Sequence, residues 1–173
     1  IDIPNAFIQT TVQDEKDKVV IRIRGLVVDM LVKIASDTYL PFVTEDRKGN
    51  KQLLVKCLNA LYGTMVASLL YYKKFTASLK RRGFIMNPYD SCVWNKMQDG
   101  KQLTIVFHVD DCKLSHADSK VIDKNIEWLR EEYENIFEDG TGKMKVSRGR
   151  RHTYLGMDLD YSSNGQCTIT MFK

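Results

Sequence analysis

The chain has 173 residues, enough for one domain with a real core, and its make-up of 43% hydrophobic and 28% charged residues with three prolines is that of a folded globular protein. No apolar run approaches the roughly 18–20 residues that cross a bilayer, and the opening Ile1-Asp2-Ile3-Pro4-Asn5 lacks the basic-then-apolar order of a signal peptide, so no membrane partner is expected. The formal charge of +4 is mild, although basic residues bunch at Lys73-Lys74, at Lys80-Arg81-Arg82 and from Lys143 to Arg151, which would suit a phosphate backbone or equally a solvated surface.

The first residue is Ile1 and the chain opens inside what reads as a strand, so it is expected to be a fragment truncated at its amino end. Val19 to Arg24 is β-branched and partly alternating, the pattern of a strand, and Gly25 to Asp37 carries apolar residues at helical spacing. Lys48-Gly49-Asn50 is a turn signal between two short strand candidates, Tyr39–Val43 and Gln52–Cys57. Helical periodicity predicts the long helix of the domain from Ala60 to Arg82, stopped by Gly83. Two strands follow, Ser91–Met97 and Leu103–Val109, and the Asp99-Gly100 pair between them is a strong hairpin signal. A second amphipathic helix is expected from the cap Asp118 to Ile136. The tail reads as a hairpin of Thr153–Tyr161 with Gln166–Phe172 around Ser163-Asn164-Gly165. This order implies an α+β fold, helices packed on one face of a mainly antiparallel sheet.

The four cysteines, Cys57, Cys92, Cys112 and Cys167, are too scattered for a Cys-x-x-Cys site and fit reduced thiols in an intracellular protein. The richest segment for chemistry runs from Leu103 to Asp111, an apolar strand ending in the adjacent acids Asp110 and Asp111. Paired carboxylates repel one another and are costly to bury, so beside an apolar strand they suggest a hard cation such as magnesium or manganese. A solvated turn accounts for the pair equally well. A P-loop partner is missing, because Gly140-Thr141-Gly142-Lys143 has the wrong spacing. His108, Cys112 and His116 recur every four residues, but on two strands joined at Asp110-Asp111 that spacing does not assemble a zinc site. His152, beside Arg150-Arg151, reads as part of a basic surface rather than as a general base.

Five segments, in order, resemble the reverse transcriptase of copia-type LTR retrotransposons. Asp2-Ile3-Pro4-Asn5-Ala6-Phe7 is similar to the family's Asp-x-x-x-Ala-Phe motif A, and Ala60-Leu61-Tyr62-Gly63 to its Leu-Tyr-Gly motif B. Gly83-Phe84 with Asp90-Ser91-Cys92-Val93-Trp94 resembles the segment before motif C. Phe107-His108-Val109-Asp110-Asp111 resembles motif C, Tyr-x-Asp-Asp, with His108 in place of tyrosine. Tyr154-Leu155-Gly156-Met157 resembles the late Phe-Leu-Gly motif.

The resemblance implies a polymerase palm over residues 1–161, with finger or connecting segments around 19–58. Residues 162–173 would close a carboxy-terminal hairpin akin to the primer grip and lead to a thumb or connection. It implies RNA-directed DNA synthesis with two magnesium or manganese ions held roughly 4 Å apart by Asp2, Asp110 and Asp111. Phe7 would be the steric gate against a ribose 2′-hydroxyl, Tyr62 and Gly63 would lie at the incoming nucleotide and template pair, and Tyr154, Leu155 and Gly156 would form the primer grip. Implied partners are an RNA template, a DNA primer, deoxynucleoside triphosphates and the protease, integrase and RNase H of a polyprotein, in a cytoplasmic retrotransposon particle. Two departures stand out: Thr64-Met65-Val66-Ala67 replaces the family's Leu-Lys-Gln-Ala, and His108 replaces a phenol with an imidazole. Two other readings stay open, an inactive relic that at most binds nucleic acid and an unrelated magnesium-dependent nuclease or phosphotransferase.

Overall fold

Three antiparallel sheets and four α-helices make up the described part of the chain, residues 1–14, 17–163 and 165–171 of a computed structural model. In chain order, β1 (Val20–Arg24) leads to α1 (Leu26–Ile34) and α2 (Ser36–Tyr39), then a 3-10 turn (Leu40–Phe42) and β2 (Val43–Glu45) and β3 (Lys51–Lys56). The helix α3 (Ala67–Arg81) precedes β4 (Ile85–Met86), β5 (Val93–Gln98), β6 (Lys101–His108) and β7 (Asp111–Ser115). After α4 (Ser119–Tyr133) come β8 (Arg151–Tyr154), β9 (Met157–Asp160) and β10 (Thr168–Met171). The sheets have strand orders β1-β3-β2, β4-β5-β6-β7 and β10-β9-β8. No helix among the described residues is long and apolar enough to cross a membrane.

The four-stranded sheet and two helices carry the main core. Along β6, Leu103, Ile105 and Phe107 are buried at every second position, which puts one face of the strand against the helices. They meet Tyr71, Phe75 and Leu79, one stripe of α3 at four-residue spacing, and Val121, Leu129 and Tyr133 of α4. Ile3 and Ala6 join the same cluster, so the amino-terminal segment is anchored by its apolar residues and not only by backbone bonds. Each fully buried large side chain contributes about 1.5–3 kcal/mol to that anchoring.

Local signals explain most boundaries. The end of α3 is closed by paired bonds, Phe84 N–H to the Leu79 carbonyl and Gly83 N–H to the Lys80 carbonyl, with Phe84 and Leu79 buried in one cluster. The Asp118 carboxylate accepts from Lys120 N–H at 2.9 Å and caps α4. Asp99 and Gly100 both take positive φ, 50° and 73°, as the type I′ turn of a β5–β6 hairpin requires.

Several expectations need correction. Tyr39–Val43 is not a strand: Tyr39 ends α2 and Pro41 sits in a 3-10 turn, where its missing N–H costs no ladder bond. The helix over 25–37 breaks at Ala35, whose φ of −144° is not helical. The helix expected from Ala60 starts at Ala67, seven residues later, because Gly63 takes φ +83° and Thr64 turns back onto the Leu61 carbonyl, and at 15 residues it is no longer than α4. Ala60 N–H meanwhile donates to Thr10 O and Val12 N–H to Leu58 O, which holds the segment extended. The second helix stops at Tyr133 rather than Ile136. Thr153–Tyr161 is not one strand but most of the hairpin β8–β9, bent at Leu155-Gly156, with β10 added beside β9. Asn164 and Phe172, expected in the last turn and strand, lie outside the described residues. The opening segment makes single bridges rather than a full strand.

Candidate functional site

Chain segments 108 residues apart bring the three candidate acids together. Residues 1–3 run antiparallel to the start of β7: Ile1 N–H donates to the Cys112 carbonyl, Cys112 N–H to the Ile1 carbonyl, and Ile3 N–H to the Asp110 carbonyl, at 2.8–2.9 Å. Asp2 therefore stands directly opposite Asp111. Opposed residues in such a pair have Cβ atoms about 4.5–5.5 Å apart, and like charges there repel. On its other side Asp2 exchanges backbone bonds with Lys145, at 2.9 and 3.3 Å. The Lys145 ammonium lies 3.6 Å from the Asp2 carboxylate, a surface pair worth at most about 1 kcal/mol.

Asp110 sits in the two-residue turn between β6 and β7, after Val109 with φ +54°. Positive φ on a β-branched residue is a genuine outlier and stores about 1–3 kcal/mol. All three acids are partly buried. Oxygen-only donors from two segments are the chemistry that magnesium or manganese takes. Among the described residues, however, no three His, Cys, Asp or Glu side chains converge closely enough to hold an ion.

Phe7 and Tyr62 meet beside these acids, their ring centroids 4.6 Å apart, and Phe7 also lies edge-on to Tyr71 at 6.1 Å. Burial first, and the negative charge of Asp110 next, push the Tyr62 phenol above its ordinary range, with Asp2 adding a smaller push. Gly63 follows, and a Cβ there would meet nothing within 4 Å, so its φ of +83° and not close packing within the chain demands glycine. Met65, in the departure from the motif B pattern, is 97% exposed, whereas Ala67 is fully buried. Leu155 and Gly156 occupy the tight turn at the tip of β8–β9, with φ of 51° and 74°. Tyr154, just before it, has a hydroxyl buried without a hydrogen-bond partner among the described residues. Burial first, then negative charge including that of Asp111, raises its phenol to about 12.

His108 is exposed at the end of β6, opposite Asp111 in register. Cys112 is buried, and its thiol is pushed up to about 12, chiefly by burial. The ring nitrogens of His116 lie within 3.2 Å of the Asp118 and Gln98 carbonyls, so it closes the loop into α4 and is not free to join His108. Three of the five basic residues between Lys143 and Arg151 are spent on acids: Lys145 on Asp2, Arg148 on Asp123 and Arg151 on Asp160. Lys145 is the residue of the site that sequence reasoning missed, since only the fold pairs its backbone with Asp2. No family model matches the chain, and neither a curated protein nor a solved structure matches it.

Proposed function

We propose that this chain is the palm region of a copia-type reverse transcriptase, an enzyme of nucleotidyl transfer to a DNA primer on an RNA template. The observation that carries the proposal is the bridge that sets Asp2 against Asp111, beside Asp110, across 109 positions of sequence. Asp2 and Asp110 are the residues that would hold magnesium or manganese, with Asp111 in support. Bound there, two such ions would lower the pKa of the primer hydroxyl and steady the triphosphate. Lys145 would release Asp2 as the ions bind.

Phe7, whose ring meets that of Tyr62 at a tilt beside the acids, would exclude a ribose 2′-hydroxyl, and Gly63 would leave its neighbourhood open for a templating pair. Tyr154 with the exposed Leu155-Gly156 turn is the proposed primer grip. The sheet β1-β3-β2 would belong to the fingers or a connecting segment. Such an enzyme would work beside integrase and RNase H in a cytoplasmic particle.

A relic that no longer polymerises is the second reading, favoured by side chains that do not converge as an ion cage and by the exposed Met65 where the family pattern has lysine. Extension of oligo(dT) on poly(rA) with magnesium or manganese separates the two. The active-palm reading expects extension that Asp110→Asn abolishes. No extension by the chain or its variant would support the relic, and extension by both would place the chemistry elsewhere.

A further inference from the structure

A cavity of about 660 Å³ lies between β7, the first half of α4 and the segment entering β8. Its size suits a small molecule, since ligand cavities run roughly 300–1,000 Å³. The aliphatic side chains of Ile1, Leu114, Ile122, Ile126 and Val146 line it. Its cations are Lys113, Arg148 and Arg150, and no aspartate or glutamate lines it among the described residues. In a chain with 22 acidic residues, a pocket with three cations and no lining acid has a definite sign.

The cations differ in how free they are. Arg148 bonds to Asp123, outside the lining, and the Lys113 ammonium lies 5.1 Å from the centre of the Tyr161 ring. Arg150 has no ion pair or side-chain hydrogen bond among the described residues. Hydroxyls of Ser119 and Ser147 add donors to the wall, whereas that of Thr153 donates to the Asp158 carboxylate at 2.9 Å. Tyr154 completes it, and its buried hydroxyl has no partner among the described residues.

We infer that this cavity binds an anionic amphiphile, a molecule whose aliphatic body covers the Ile, Leu and Val floor and whose phosphate or carboxylate head meets Arg150, Lys113 and Arg148. Aliphatic walls favour a flexible hydrocarbon body over a flat base. Head-group attraction sets orientation, because guanidinium pairs with phosphate through two parallel bonds. The inference does not require nucleotidyl transfer, although Tyr154 is shared with the proposed primer grip.

Isothermal titration of the whole chain with octyl phosphate, below its micellar concentration, tests the assignment, with octanol and inorganic phosphate as comparison ligands. One site per chain is expected for octyl phosphate, with both comparison ligands at least tenfold weaker. Arg150→Glu, at an exposed position, should weaken octyl phosphate at least tenfold, and Ala117→Trp, which fills the mouth of the cavity, should do the same. Unchanged far-UV dichroism in each variant ties the loss to the cavity. Octanol binding as tightly as octyl phosphate would overturn the anionic head, and inorganic phosphate binding as tightly would overturn the aliphatic body. Full affinity in both variants would overturn the site itself.

Discussion

Single residues in this chain carry strain or burial that can be read as measurable stability. Val109 holds φ +54° between β6 and β7, a conformation that Asn adopts far more readily than a β-branched residue. Val109→Asn is expected to raise the urea midpoint, by the equivalent of about 1 kcal/mol from the strain relieved. A fall would mean that the half-buried valine side chain is worth more than its backbone costs. Gly142 is the opposite case. A Cβ there would lie 1.9 Å from the Asn135 carbonyl oxygen with φ at +83°. Gly142→Ala should therefore cost at least about 1–3 kcal/mol in urea unfolding, because neither the backbone contact nor the dihedral can relax cheaply. Buried acids of high pKa add a pH dependence. The Cys112 thiol and the Tyr133 phenol are both pushed up to about 12, first by burial, and burial also raises Tyr71. Each group stays protonated in the folded chain over a range where the unfolded chain gives its proton up. Their contribution to stability is therefore complete below about pH 9 and is lost as pH climbs towards 12. Urea midpoints at pH 7.5 and 10.5, with tyrosinate absorbance followed in parallel, check this. Equal midpoints would show that these groups are accessible to solvent.

Between elements, α3 and α4 are held by a polar clamp at one end of an otherwise apolar contact. Ser78 Oγ accepts from the Tyr133 hydroxyl at 2.8 Å and donates to the Glu132 carboxylate at 2.8 Å, while Arg81 reaches both Ser78 and Glu132. Ser78 is 1% exposed, so removing its oxygen strands the buried Tyr133 hydroxyl. Ser78→Ala is expected to cost about 1–3 kcal/mol, and Ser78→Ala with Tyr133→Phe less than the sum of the two single changes. Strict additivity in urea unfolding would mean the clamp is not one network. None of this clamp was legible beforehand, because it joins residues 54 apart through the packing of two helices. What was legible shared one property: a local chemical cause. Asp99-Gly100 specifies its turn, Asp118 its cap and Gly83 its stop by interactions within a few residues. The start of α3 was missed because helical spacing continues back to Ala60, while Thr10 and Val12, far upstream, claim the backbone of 58–60. The Leu155-Gly156 turn was missed because leucine at positive φ sends no signal that periodicity can register.

Across the whole molecule, stability is divided unevenly, and the candidate site lies on the well-packed side. A core of sixteen buried residues joins Ile3 and Ala6 to the four-stranded sheet, α3 and α4. That is why the acids of the opening segment and the β6–β7 turn are held together: sequence motifs named Asp2, Asp110 and Asp111, but their meeting depends on apolar neighbours of both. The sheet β1-β3-β2 with α1 has a different economy of contacts. Val28 and Leu53 are buried there, yet Leu26, Ile34 and Phe42 are 75%, 78% and 67% exposed. The strand β1 also lies at an edge of its sheet among the described residues, with Arg22 and Arg24 placed where charge discourages pairing with another chain. Few buried apolar contacts and solvent-facing ladder bonds give a low free energy of local opening. Amide hydrogen exchange should therefore show β1 and β3 exchanging through local opening, at rates well above those of β6, and Leu103→Ala should speed β6 exchange far more than that of β3. The cost of such a core truncation is about 2–5 kcal/mol, and it falls on the unit that carries the residue. Matching protection in β3 and β6, with both falling together in Leu103→Ala, would instead mean that the two sheets open as one cooperative body, and that the acids owe their placement to the whole chain.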